Sequence, residues 1–154
     1  MNDLNVDSYK KLYSGKIRDV YEYDQQHLLI VTTDRISAFD FVFEEEILGK
    51  GFLLNKMSIF WFKLTKGIVK NHYIEKIPEI DANLISRSMV VEKTKVLPVE
   101  AIVRGHIAGS AWKSYQEDGS INGIKIISGL CEYDRLSEPI FTPSTKGKKD
   151  ENIS

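Results

Sequence analysis

The sequence holds a single cysteine, Cys131, among 154 residues. An internal disulfide and a cysteine-rich metal site are thereby excluded. Nothing beside Cys131 suggests an activated thiolate. Histidine is also scarce. His27, His72 and His106 are scattered without ligand spacing, which argues against zinc. No charge of one sign prevails: Lys plus Arg is 21, Asp plus Glu is 22, and the net charge is -1. That balance argues against a nucleic-acid or membrane-surface partner, which would call for a basic excess. No run approaches the ~20 apolar residues of a membrane span. The opening Met-Asn-Asp-Leu-Asn-Val-Asp has no basic start and no apolar stretch, so a cytoplasmic protein is expected. There is no internal repeat and no low-complexity linker. What is present is ordinary globular composition, 42% hydrophobic. A chain of this length buries roughly 70% of its unfolded surface, enough for a real core.

Residues 10–23 and 27–33 read as two strands of a hairpin, turning at Asp24-Gln25-Gln26, with a glycine bend at 14–16 in the first arm. Residues 34–51 read as a loop region with short strand pieces, and Glu44–Glu46 as solvated. The best helix is 52–68. Leu53, Met57, Phe60, Leu64 and Ile68 share one face, widened by Trp61 and Leu54, and this stripe is expected to pack in the core. Strands are expected at 72–77, 87–96 and 99–103, a short helix at 111–117 with Ser110 as N-cap, a turn at 118–119 and a strand at 121–128. From Ser137 the pattern dissolves into prolines, small polar residues and lysines. Pro98 marks a hinge at 96–98.

Three segments carry chemistry. In Ser14-Gly15-Lys16-Ile17-Arg18 the glycine relaxes the backbone, and Lys16 and Arg18 offer cations to a polyphosphate. The spacing is not that of a P-loop, and an ordinary hairpin turn would read the same way. Asp34–Asp40 packs charges and Ser37 around two apolar residues, as either a binding loop or a surface loop whose aspartates cap turns. Arg104 ends an apolar strand. It would either pair with a buried carboxylate or grip an anion, together with Gly109, Ser110 and the helix start behind them. His106 lies inside that loop, exposed or touching substrate. The Lys146–Lys149 cluster reads as solvated.

Six segments together resemble one family: YSGKIRDVYE at 13–22, TTDRISAFD at 32–40, GKG at 49–51, NH at 71–72, VLPVEAIVRGHIAGSAW at 96–112 and FTPSTKGKKDENIS at 141–154. The order and content resemble SAICAR synthetase, an ATP-dependent carbon–nitrogen ligase of purine biosynthesis. The resemblance implies an α+β fold. A kinase-like, β-rich nucleotide-binding lobe would span 1–96, and the start of a second α/β lobe 97–154, with nucleotide in the cleft between them. It implies that ATP meets Ser14, Gly15, Lys16, Ile17 and Arg18. Val20 and Leu29 would wall the adenine, Val96 would sit at the hinge, Glu100 near the ribose, and Lys93 would approach the nucleotide. Ser37 and Asp40 would close over the substrates. Arg104, Gly109 and Ser110 would hold the ribotide phosphate. Lys146, Asp150 and Glu151 would lie at the rim, with Lys149 where the family usually has histidine.

The implied reaction joins L-aspartate to the carboxylate of carboxyaminoimidazole ribotide (CAIR), giving SAICAR, ADP and phosphate. The family's second signature, Asp-x-Lys-x-Glu-Phe-Gly, carries the carboxylates that hold Mg2+, and it is not in this sequence. No residue stands out as a general base. The chain is therefore expected to be a truncated form, with apolar surface exposed where the rest would dock and a tendency to self-associate as a homo-oligomer. The alternative is a non-catalytic nucleotide-binding fragment of that ligase. Another kinase-like or ATP-grasp ligase, or a scaffold without ligand, are the remaining readings.

Overall fold

The computed structural model describes residues 6, 8–38 and 41–145. The chain divides into two compact units, residues 1–95 and 96–154.

The first unit is built on a five-stranded antiparallel sheet in the order β1-β2-β3-β7-β6. Its strands are β1 (Lys10–Ser14), β2 (Arg18–Glu22), β3 (His27–Thr32), β6 (Tyr73–Ile74) and β7 (Ser88–Glu92). The glycine bend expected within one strand is instead a hairpin turn joining two. Gly15 N–H donates to the Arg18 carbonyl at 2.7 Å, closing the turn, and Ser14 pairs with Asp19. Residues 35–46, expected to be mostly loop, form a separate hairpin of β4 (Arg35–Ala38) and β5 (Phe41–Glu46). Glu44, Glu45 and Glu46 are exposed. Helix α1 spans Lys50–Thr65, and the short α2 spans Ala82–Ile85, its Asp81 cap accepting from Asn83 N–H. One sheet face carries the core: Tyr21, Leu29 and Val90 lie side by side across three strands, joined by Val31, Leu84 and Val6.

Helix α1 overturns the expectation for its apolar stripe. Its buried residues are Gly51 and Asn55. Leu53, Met57, Phe60, Trp61 and Leu64 are exposed, each by more than half. Glycine lets the helix start lie directly on the end of β3. A Cβ at Gly51 would overlap the Thr32 carbonyl oxygen and sit 2.9 Å from that of Thr33. Asn55 then donates through Nδ2 to the Ser86 and Ser88 carbonyls at 3.1 and 3.0 Å, satisfying backbone acceptors beside β7.

The second unit pairs β9 (Val103–His106) with β12 (Arg135–Phe141), and β8 (Val99–Glu100) with β13 (Ser144–Thr145). Arg104 is therefore inside a strand rather than at its end, opposite Ile140. The residue pattern after 135 conceals these strands because Pro139 interrupts it. The proline sits where the β9–β12 register shifts, a place where a missing donor is tolerated. Helix α3 spans Ser110–Asp118 and packs Ala111 on Ile107, Ile121 and Leu136. The expected strand at 121–128 is a tight hairpin, β10 (Ser120–Ile121) and β11 (Ile124–Lys125). Asn122 and Gly123 make its turn at φ 53° and 77°, the left-handed pair such two-residue turns require.

Candidate functional site

In the first unit the glycine turn is held from beneath. Thr33 donates from its backbone N–H and its hydroxyl to the Ile17 carbonyl, at 2.9 and 3.0 Å. Arg35 donates through Nη2 to the Gly15 carbonyl at 3.0 Å and through Nε to the Lys16 carbonyl at 3.3 Å. The same Nη2 reaches Asp19 Oδ1 at 2.7 Å, and Lys11 Nζ reaches Asp19 Oδ2 at 3.2 Å. Burial by itself would raise the Asp19 pKa. Hydrogen bonds from Arg35, Ser14 and Lys11 outweigh it and hold the carboxyl below its usual range. The turn is thus a pre-set element, with Lys16 and Arg18 exposed on it.

Asp34 does parallel work one step along the chain. Its Oδ1 accepts from Gly51 N–H at 2.7 Å, and its Oδ2 from Gly49 N–H at 3.3 Å and Arg87 Nη2 at 3.0 Å. Burial again pushes its pKa up, and these donors, Gly51 foremost, bring it below the usual value. The GKG segment is thereby tied to β3, with Gly49 at φ 82°. The Asn-His pair at 71–72 is structural too. Asn71 donates to the Phe62 carbonyl, and the His72 carbonyl accepts from Glu92 N–H.

The remaining positions in this unit scatter. Val20 and Leu29 do not face one ligand together. Tyr21 is the register partner of Leu29, so strand alternation sets Val20 on the opposite face. Leu29 is 0% exposed within the core. Lys93 directly follows β7, whose Glu92 pairs with His27, so it lands at the far end of β2 from the glycine turn. There its Nζ donates to Glu22 at 2.9 Å and to the Asp24 and Gln25 carbonyls. Ser37 lies half-buried in β4, and Asp40 is outside the described residues.

In the second unit Arg104 and Ser110 meet. Arg104 Nη2 donates to Ser110 Oγ at 3.2 Å, and its Nε donates to Thr142 Oγ1 at 3.0 Å. Among the described residues no carboxylate pairs with this guanidinium. Two hydroxyls occupy two of its five N–H donors. Ser110 is the first residue of α3 and not its cap. Gly109 takes the cap position at φ 59°, ψ -125°, a conformation open essentially to glycine alone. A small crevice is lined by Arg104, Ser110, Ser114, Asn122 and Thr142, together with the buried Ala111 and Ile121. Arginine, hydroxyls and a helix N-terminus converging on one crevice suit an oxyanion. Thr142 is buried, and sequence reasoning misses it. A threonine following Phe141 gives no signal without knowledge that β12 runs beside β9. Val96 and Glu100 are exposed. Lys146, Lys149, Asp150 and Glu151 are outside the described residues. Among the described residues no three His, Cys, Asp or Glu side chains gather as metal donors. No helix among them is long and apolar enough to cross a membrane.

Comparison with known proteins bears directly on this arrangement. Phosphoribosylaminoimidazole-succinocarboxamide synthase of Chromobacterium violaceum is 48% identical over 156 residues, covering 96% of this chain and 55% of that protein. The enzyme of the same name from Pelobacter propionicus is 52% identical, covering 94% of this chain and 52% of its own. The Saccharomyces cerevisiae SAICAR synthase solved in complex with SAICAR superposes with a TM-score of 0.87 at 43% identity, over 99% of this chain and 56% of that one. A type-2 SAICAR synthetase in complex with ADP superposes with a TM-score of 0.72 at 26% identity, over 92% of this chain and 54% of that one. The chain spans about half the length of the relatives it matches. The SAICAR synthetase family profile matches residues 11–154, taking in the braced glycine turn, the Asp34 anchor and the Arg104–Ser110 crevice, and the chain belongs to that family.

Proposed function

We propose that these residues supply the nucleotide and ribotide contacts of an ATP-dependent ligase that joins L-aspartate to CAIR in purine biosynthesis. The observation that carries this reading is the Arg104–Ser110–Thr142 constellation at the Gly109 helix start, whose donors suit an oxyanion. It suits the 5′-phosphate of a ribotide, and the solved yeast relative is a complex with SAICAR. In the first unit, Lys16 and Arg18 on the braced turn suit the phosphates of ATP, and a solved relative holds ADP. By the resemblance, Ser37 and Asp40 would belong to the segment that closes over the substrates.

The chemistry is two displacements. A carboxylate oxygen of CAIR takes the γ-phosphoryl group, releasing ADP and forming an acyl phosphate. The amine of L-aspartate then attacks that carbonyl carbon, phosphate leaves with the C–O electron pair, and the amine loses a proton as the amide forms. The contribution of these residues is positioning and charge neutralisation, which dominate phosphoryl transfer. The resemblance also implies Mg2+. By that resemblance its ligands would come from the family's second signature, and neither the turn nor the crevice depends on it for its shape.

Binding without turnover is the second reading, since the chain covers 55% and 52% of two relatives of that name. Calorimetric titration separates these from a ligand-free scaffold. ADP and SAICAR should each bind the 154-residue chain. Arg104→Ala should lower SAICAR affinity at least tenfold and leave ADP affinity unchanged. Equal binding of SAICAR by the wild type and Arg104→Ala would refute the receptor, and product formation by the chain alone would refute binding without turnover.

A further inference from the structure

Helix α1 turns its larger apolar face away from the sheet. Gly51, Asn55 and Phe62 turn toward the sheet and the β6 edge. On the other side Leu53, Met57, Phe60, Trp61 and Leu64 form a continuous ridge, and Ile68 extends it past the helix end. Trp61 is 55% exposed and Ile68 84%. A ridge holding Trp, Phe and Met has the composition of an interface centre. The inner side meanwhile spends a polar Asn55 and a bare glycine on contact with the sheet. The larger apolar payload is on the open side.

From this ridge we infer that the outer side of α1 is the docking surface for the C-terminal half of the SAICAR synthetase fold, the part of the relatives lying outside the match. The inference rests on family membership and not on the ligand assignments. Two observations select this occupant. This chain covers 55% of the C. violaceum relative and 56% of the yeast structure, so in both almost as much polypeptide again remains to be placed. A second copy fits poorly. Lys56 and Lys63 line one flank of the ridge, Lys63 ion-paired with Glu75, and an antiparallel self-pairing across a two-fold axis brings that flank against itself, setting Lys56 against a flank that already carries a lysine. A parallel pairing lays the same lysines over Leu54 and Ser58. The fitting partner has an apolar centre and acidic groups beside Lys56.

The test co-expresses the 154-residue chain with the tagged C-terminal segment of the C. violaceum relative and purifies through the tag. The expected result is a 1:1 complex in sedimentation equilibrium, with Trp61 fluorescence shifted to the blue in a Trp112→Phe background. Trp61→Glu and Leu64→Glu should each weaken capture at least tenfold. Both sites are exposed, so the variants should keep the wild-type circular dichroism and melting temperature, and Lys113→Glu in the second unit should capture normally. Failure of capture, or equal capture by the wild type and both ridge variants, would overturn the inference. So would a stable homodimer of the chain alone that the ridge variants disperse and the segment does not compete away.

Discussion

Removing the Arg35 guanidinium should loosen the glycine turn in a way that depends on pH. Arg35→Ala deletes a charge-assisted bond of 2.7 Å to Asp19, whose side chain is 6% exposed, and two bonds to carbonyls of the turn. The charge-assisted bond contributes about 1.5–3 kcal/mol. The Gly15 and Lys16 carbonyls lie in an exposed turn where water replaces the lost donors, so their share is small. Asp19 keeps Lys11 at 3.2 Å, which spares it the full penalty of a deserted buried charge. The expected loss is about 2–3 kcal/mol near pH 7. Asp19 has a folded pKa below its unfolded one, so this stabilisation is present above the usual carboxylate range. It disappears as pH falls through the depressed folded value. Urea unfolding followed by circular dichroism at pH 7 and at about pH 2 reads the difference. Amide exchange of β2 and β3 assigns it to the first unit. ADP affinity should fall in parallel, because Lys16 and Arg18 lose their fixed platform. Equal urea midpoints at pH 7, or a gap of the same size at both pH values, would refute the role of Arg35.

Gly51→Ala should destabilise by about 3 kcal/mol, because all three atoms its Cβ meets are backbone and cannot swing away; thermal melting reads it. Gly109→Ala should lose about 1–3 kcal/mol from its positive φ and weaken SAICAR binding through a displaced Ser110, while ADP titration stays unchanged. His72, its pKa lowered by burial against a smaller opposing pull from Glu92, should destabilise the fold as pH falls below about 6.5, where the unfolded chain takes up the proton more readily. His72→Gln should flatten that part of a stability-against-pH curve while leaving the carboxylate-linked loss at lower pH.

How far the sequence disclosed the fold depended on whether a segment's signal was local. The β2–β3 hairpin was legible because Asp24 caps its own turn, accepting from Gln26 and His27 N–H. Helix α1 was legible as a helix, but its direction of burial was not. Periodicity shows that apolar residues share a face and not which body covers it. Here the sheet selected the side where Gly51 permits close approach, and left the larger ridge outward. Strand β12 was hidden by Pro139, since only the register against β9 reveals that the proline occupies an irregularity.

The same division runs through the candidate site. Arg104, Gly109 and Ser110 are six residues apart or fewer, and their juxtaposition follows from one strand, one turn and one helix start. Thr142 completes the receptor from 38 residues away. Arg35 reaches the glycine turn across 20 residues, and Arg87 reaches Asp34 across 53. These partners are supplied by tertiary pairing, so no local pattern marks them. Their chemistry explains why they matter all the same. Asp19 and Asp34 each convert a glycine-containing backbone segment into a fixed shape by accepting several donors at once. A flexible turn would lose binding energy to ordering its own chain whenever an anion arrived. Bracing the turn beforehand removes that cost, so under the proposed function the arginines and aspartates beneath the loop would set ligand affinity without touching the ligand.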